Sequence, residues 1–222
     1  GNELQTRCPD LGATSCSTQS PIGGALFAHF GYTWDPVGLE LFLAAEYDQS
    51  SPQASYDGQP APNENPFVAQ PARKEAFTFY RAGGVAALRV RATVQSARLR
   101  ASVAVGAGVA YKAMFMSRTT TSTDASHLQD SYVPPAVEYV SPAVVADASF
   151  QLRVGPTTAI SLGALAWVEN AGGDARTKPD AQRCFASCQL GASSVPLPTP
   201  GYQAASSTQV FVGPYLGVQL GP

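Results

Sequence analysis

Residues 97–115 read ARLRASVAVGAGVAYKAMF, and this stretch decides the fold. Taken every second residue it gives Leu99, Ala101, Val103, Val105, Ala107, Val109, Tyr111, Ala113 and Phe115, an unbroken apolar face. The alternate face reads Arg98, Arg100, Ser102, Ala104, Gly106, Gly108, Ala110 and Lys112, small or basic throughout. A period of two belongs to the β-strand, whose successive side chains point to opposite faces. A strand in a soluble sandwich buries large apolar residues on one face and shows water a strongly polar one. Small residues broken by isolated charges suit the narrow interior of a small closed barrel instead, and the long apolar face suits lipid.

Six more segments repeat the alternation, so seven strands are expected at about residues 22–32, 37–47, 76–92, 98–116, 136–154, 158–168 and 208–220. Leu39, Leu41 and Leu43 face outward with Glu40 and Glu46 behind them; Tyr80, Leu88 and Val90 face outward with Arg81 and Arg89 behind. In the fifth segment Val140, Val144 and Phe150 oppose Asp147 and Arg153. Short turns near residues 34–36, 94–96 and 155–156 alternate with long polar stretches at 50–75, 117–132 and 170–207, the asymmetry of a membrane barrel. The expected fold class is therefore all-β, an antiparallel up-and-down transmembrane barrel forming one domain over residues 1–222, with residues 1–20 as an external loop. Alternating directions make the first and last of seven strands parallel, whereas single-chain bacterial barrels have an even number of strands. Eight are expected, with one strand N-terminal to Gly1.

Composition bounds the partners. Charged residues are 14% of the 222 and the formal net charge is -2, which argues against nucleic acid and against a polybasic membrane-surface protein. Hydrophobic residues reach 45%, yet no apolar run approaches the roughly 20 residues that a transmembrane helix needs.

With phrases such as GAGVAYKAMF (residues 106–115) and VFVGPYLGVQL (residues 210–220), the chain from 22 to 220 resembles the small outer-membrane barrels typified by the transmembrane domain of outer-membrane protein A. The resemblance implies eight strands, a bacterial outer-membrane location with long loops outside and short turns in the periplasm, and contact with outer-membrane lipid and lipopolysaccharide. Members of that group serve as anchors, adhesins, defence factors or lipid-modifying enzymes, so the fold does not choose the function.

The strongest chemical constellation is the set of inward charges: Glu40, Glu46 and Asp147 with Arg81, Arg89, Arg98, Arg100, Lys112 and Arg153. Charges confined in a lumen must be paired or hydrated. An eight-stranded barrel is just wide enough for its own side chains to fill, so these charges are expected to plug it. Folding the third and fourth strands about Val94 would set Arg91 near Arg98 and Arg89 near Arg100, with Glu40 and Asp147, or an anion, as compensation. Two histidines limit enzyme readings: His29 faces inward, and His127 lies in a Ser/Thr-rich stretch near Asp124 and Asp130, where a Ser/His/Asp arrangement arises cheaply. Cys8 and Cys16 are too widely spaced for a zinc pair with Cys184 and Cys188, so the four are expected as disulfides in external loops. No metal or cofactor motif is present. The leading function is a non-enzymatic envelope anchor or surface-interaction protein, its partners lipid, lipopolysaccharide and another envelope protein or a separate strand completing the barrel. A narrow solute channel and a lipid-modifying barrel enzyme compete with it, and a soluble β-sandwich adhesin is the competing fold.

Overall fold

The computed structural model describes residues 13–17, 21–58, 72–96, 98–123, 129–170, 175–176, 203–205 and 208–220. Every regular element among them is a β-strand: β1 (Ser15–Ser17), β2 (Ile22–Trp34), β3 (Val37–Ser50), β4 (Gln53–Tyr56), β5 (Arg73–Gln95), β6 (Leu99–Ser122), β7 (Gln129–Tyr132), β8 (Val137–Arg153), β9 (Thr158–Asn170), β10 (Ala175–Arg176), β11 (Gln203–Ala205) and β12 (Thr208–Leu220). The seven expected strands are β2, β3, β5, β6, β8, β9 and β12. They pair antiparallel in chain order, each with the next.

The alternation of sequence becomes two faces of one sheet. On β3, Gly38, Glu40, Phe42, Glu46 and Asp48 are buried while Leu39, Leu41, Leu43 and Tyr47 between them are exposed. Pairing carries this parity across the ladders, since residues directly opposite share a face. The sheet curls around its inner face. Phe27 on β2 and Tyr215 on β12, at opposite ends of the strand order, meet edge-on with ring centroids 4.8 Å apart. Backbone pairing does not follow: among the described residues, β2 bonds only to β3, and β12 only to β9. The sheet is therefore open between two parallel edges, and it is not a closed barrel.

Prolines sit where this ladder tolerates them. Pro214 is on the edge strand β12. Pro142 is on β8, but β8 pairs with β9 only from Ala143 onward, so its missing donor costs no bond on that side.

Three expectations need correction. Residues 1–20 are not simply a loop, because β1 within them pairs with β4. The polar stretches 50–75 and 117–132 are partly sheet: β4 pairs with the start of β5, and β7 with the end of β6. The Thr-rich run ending β6 favours extended backbone through its β-branched side chains, and Arg118, Thr120 and Ser122 point inward and are buried. Last, the β5–β6 turn lies at Ser96–Arg98, where Ser96 N donates to Leu99 O, so Arg89 opposes Gly106 and Arg91 opposes Ala104 rather than Arg100 and Arg98.

Two cores fill the inner face. One, at the waist, gathers Phe42, Val85, Ala87, Ala110, Val145, Leu165 and Trp167. A smaller one gathers Ala54, Tyr56, Phe77 and Met116 near the long connections. The waist requires close approach of β5 and β6: a Cβ at Gly108 would stand 1.9 Å from Ala86 O, whereas one at Gly24, on the outer face of β2, would meet nothing within 4 Å. Gly108→Ala is expected to lower the denaturant midpoint by an amount equivalent to about 1–3 kcal/mol, and Gly24→Ala to stay within about 0.5 kcal/mol of the parent. Equal midpoints for the two variants would contradict the close approach.

Candidate functional site

The inner face between β3, β5, β6, β8 and β9 carries ionisable groups in layers. Nearest the short turns, Glu40 on β3 accepts from two arginines of β5, Arg89 Nη2 donating at 2.9 Å and Arg91 Nε at 2.5 Å. Asp147 on β8 approaches the same pair, its Oδ1 3.8 Å from Arg89 Nη1 and 3.6 Å from Arg91 Nη2. Two carboxylates thus meet two guanidiniums. Further bonds come from the flanks: Arg91 Nη1 donates to Ser102 Oγ at 2.6 Å, Ser102 and Ser149 hydroxyls bond at 2.8 Å, and Tyr215 OH donates to Asp147 Oδ2 at 2.7 Å, while Arg89 Nε and Nη1 and Asp147 Oδ1 are buried without a hydrogen bond among the described residues. Arg89, 1% exposed, lays its guanidinium over the Phe42 ring at 4.4 Å. His29 stands at the margin, with Nδ1 3.5 Å from Glu40 Oε1.

Beyond the waist a second layer centres on Lys112 of β6. Its ammonium pairs with Glu46 of β3 and with Glu169 of β9, the latter at 2.5 Å. Arg81 of β5 donates to both Asp48 oxygens at 2.8 and 3.1 Å and, through Nη1, to Gln209 Oε1 of β12 at 2.8 Å. A third layer lies between the long connections, where Arg73 donates to Glu75 at 3.1 Å and stacks over Tyr56 at 4.0 Å, and Arg118 lies over Tyr132 at 5.3 Å.

Of the nine lumen charges expected from sequence, six enter these layers: Glu40, Glu46, Arg81, Arg89, Lys112 and Asp147. Arg98, Arg100 and Arg153 do not. They stand at the short-turn rim, where the strands end, Arg98 and Arg153 exposed and Arg100 half-buried, and among the described residues none of them forms an ion pair. Asp48, Glu169, Arg73, Glu75 and Arg118 belong to the layers and escaped the sequence reading, whereas Arg91, expected inward beside Arg98, pairs with Glu40 instead. Their parity was readable: Asp48 follows Glu40 and Glu46 at even steps, and Arg118 follows Lys112 likewise.

Cys16, in β1, is the one cysteine among the described residues and its thiol is not free. Cys8, Cys184 and Cys188 lie outside the described residues, so the pairing of the four stays an expectation. His127 and Asp124 also lie outside them.

No family model, curated protein or solved structure matches the chain. The resemblance to small outer-membrane barrels accordingly rests on strand pattern and polarity.

Removing one member of a buried, hydrogen-bonded charge cluster strands its partner in low dielectric, a loss of about 3–5 kcal/mol. Glu40→Gln is expected to fall in that range, because it leaves Arg89 and Arg91 with Asp147 alone. A double-mutant cycle of Glu40→Gln with Arg91→Gln should show coupling above about 1 kcal/mol. Additive losses in chemical unfolding would rule out a cooperative layer.

Proposed function

We propose that this protein is a non-enzymatic outer-membrane β-barrel protein that anchors its long hairpins at the bacterial cell surface, with a lumen closed by ion pairs and the aromatic waist. One observation carries the reading, the inverted polarity of the sheet. Among the described residues, buried polar and charged residues outnumber buried hydrophobic ones, while Leu26 (83%), Leu216 (76%) and Phe150 (71%) are exposed alongside many other large apolar side chains. Water penalises such a surface, and soluble monomers rarely expose apolar patches beyond a few hundred Å². Hydrocarbon rewards it.

The outward aromatics fit the same reading. Tyr32 and Trp34 pack together at 5.1 Å beside the short turns, and Tyr47 and Tyr80 face each other at 6.3 Å toward the long connections. From Val37 to Tyr47, β3 advances about 34 Å along its axis at ~3.4 Å per residue. Tilted by about 40°, it rises about 26 Å, close to the roughly 25 Å apolar band of such barrels. Strands β5 and β6 exceed the ~9–11 residues that suffice to cross. Their surplus, with β4 and β7, forms the part offered to lipopolysaccharide or an envelope partner.

Embedding adds a requirement. An unpaired edge in hydrocarbon costs several kcal/mol for each unsatisfied backbone group. Since β2 and β12 run parallel, the smallest closure is one further strand antiparallel to both. In lipid the amides of β2 and β12 should then exchange slowly, and fast exchange there would count against closure.

The two tryptophans give a direct test, because Trp34 is outward and 61% exposed while Trp167 is inward and 1% exposed. In liposomes of brominated lipid, a Trp167→Phe variant should have its remaining Trp34 emission strongly quenched, and a Trp34→Phe variant should keep its Trp167 emission. Equal quenching, or none at Trp34, would reject the embedded sheet. Steady single-channel conductance from the parent protein would favour the solute channel over the anchor.

A further inference from the structure

The three arginines left out of the lumen layers converge on one cavity at the short-turn rim. It has a volume of about 50 Å³ and is lined by Arg98 just before β6, Arg100 at the start of β6, Arg153 from the end of β8, and Gln151, Gln219 and Thr157 around them. By the ~10–15 Å³ that one water occupies on this measure, it has room for a small polyatomic group. Arg153 N donates to Arg98 O at 3.0 Å, so the two arginines stand opposite each other across the β6–β8 ladder. Like charges so placed repel. Nothing acidic offsets them: among the described residues, Arg98, Arg100 and Arg153 form no ion pair, and the only polar side-chain partner recorded for the three is Gln95, which accepts from Arg100 Nη2 at 3.1 Å. The nearest interior carboxylates, Glu40 and Asp147, are engaged with Arg89 and Arg91. Gln151 is 4% exposed, and Gln219 Oε1, also on the cavity wall, is buried without a partner.

We infer that this rim binds a phosphate group, held in the Arg98–Arg100–Arg153 cavity. Guanidinium forks match the paired oxygens of phosphate, and a tetrahedral oxyanion offers oxygens to three of them at once. Gln219 Oε1 supplies an acceptor for a hydroxyl beside the oxyanion, that of free hydrogen phosphate or of a headgroup's glycerol. Free phosphate and the headgroup of an anionic phospholipid share this chemistry, and both occur beside a membrane rim.

Thermal unfolding of the full chain in neutral detergent micelles separates them. One arm adds inorganic phosphate against chloride at matched ionic strength; the other dopes the micelles with phosphatidylglycerol against phosphatidylcholine. The site predicts a saturable rise in midpoint with phosphate, phosphatidylglycerol or both, by the mass action of a ligand that binds only the folded state. Response to phosphate alone assigns a free anion, and response to phosphatidylglycerol alone assigns a headgroup. Arg98→Gln with Arg153→Gln should weaken the apparent affinity by about tenfold or more, while Lys74→Gln, at an outward position of β5 near the long connections, should leave it unchanged. If the double variant fails to fold, Arg98→Lys serves: it keeps the charge, loses the fork, and should still weaken binding several-fold. In phosphate-free micelles Arg98→Gln should unfold no earlier than the parent, since it relieves repulsion. That reversal of order with ligand is one a merely structural arginine would not produce. Equal midpoints in phosphate and chloride together with no response to phosphatidylglycerol would overturn the inference, as would full affinity in the double variant.

Discussion

Glu40 is the interaction on which the interior depends. One carboxylate on β3 receives hydrogen bonds from two guanidiniums of β5, and Asp147 of β8 approaches the same two groups from across the concave face. Four charges that would each be prohibitive alone become acceptable together, because every one has opposite charge within reach. The geometry asks for strands that curl. A flat sheet would hold β3 and β8 apart, with β5 and β6 between them, and Asp147 could not approach Arg89. Curvature in turn asks for small side chains on the concave face, which is where Gly106 and Gly108 lie opposite Arg89 and Ala87.

The waist and the charged layers depend on each other. Trp167 stacks on Phe211 with centroids 4.0 Å apart, and Phe27 lies against both Phe42 and Tyr215. This aromatic plug separates the Glu40 layer from the Lys112 layer. Separation lowers the effective dielectric on both sides and strengthens each pairing. It also leaves each layer with its own set of charges. Glu40 and Asp147 match Arg89 and Arg91, while Lys112 is shared by Glu46 and Glu169. A charge at the rim cannot draw on an acid held beyond its own layer, and so the three rim arginines stay without one.

Facing was legible in the sequence because a period of two survives any error in strand ends. Glu40, Glu46, Arg81, Arg89, Lys112 and Asp147 all stand on the face their parity gave them. Strand ends were less legible. Polar residues past Tyr47, Phe115 and Val168 read as loop by composition, yet Asp48, Arg118 and Glu169 continue the same alternation and are buried. Composition misleads there because a polar interior removes the usual contrast between strand and loop. The hairpin register of β5 and β6 was not legible either: turn residues near Val94 allow several positions, and only side-chain pairing across the ladder chooses among them. The shifted register moved Arg98 and Arg100 away from Arg91 and Arg89, out of the interior layers and onto the rim.

The open seam follows from the same parity argument carried to the backbone. In a meander each hairpin reverses direction, so seven strands must present parallel edges, and no curvature can make β2 and β12 bond antiparallel. Side chains show how near the edges come: Phe27 touches Tyr215, and Arg81 reaches Gln209. Inward residues of β2 and β12 are nevertheless half-buried or exposed, where most of those of β3, β5, β6, β8 and β9 are buried. The interior is therefore finished on five strands and unfinished on the two that flank the seam. A strand placed there would complete the burial of Ala25, Phe27 and Phe211 and continue the outward apolar band between Leu26 and Leu216. The chemistry demanded of it is that of its neighbours, small or polar within and apolar without.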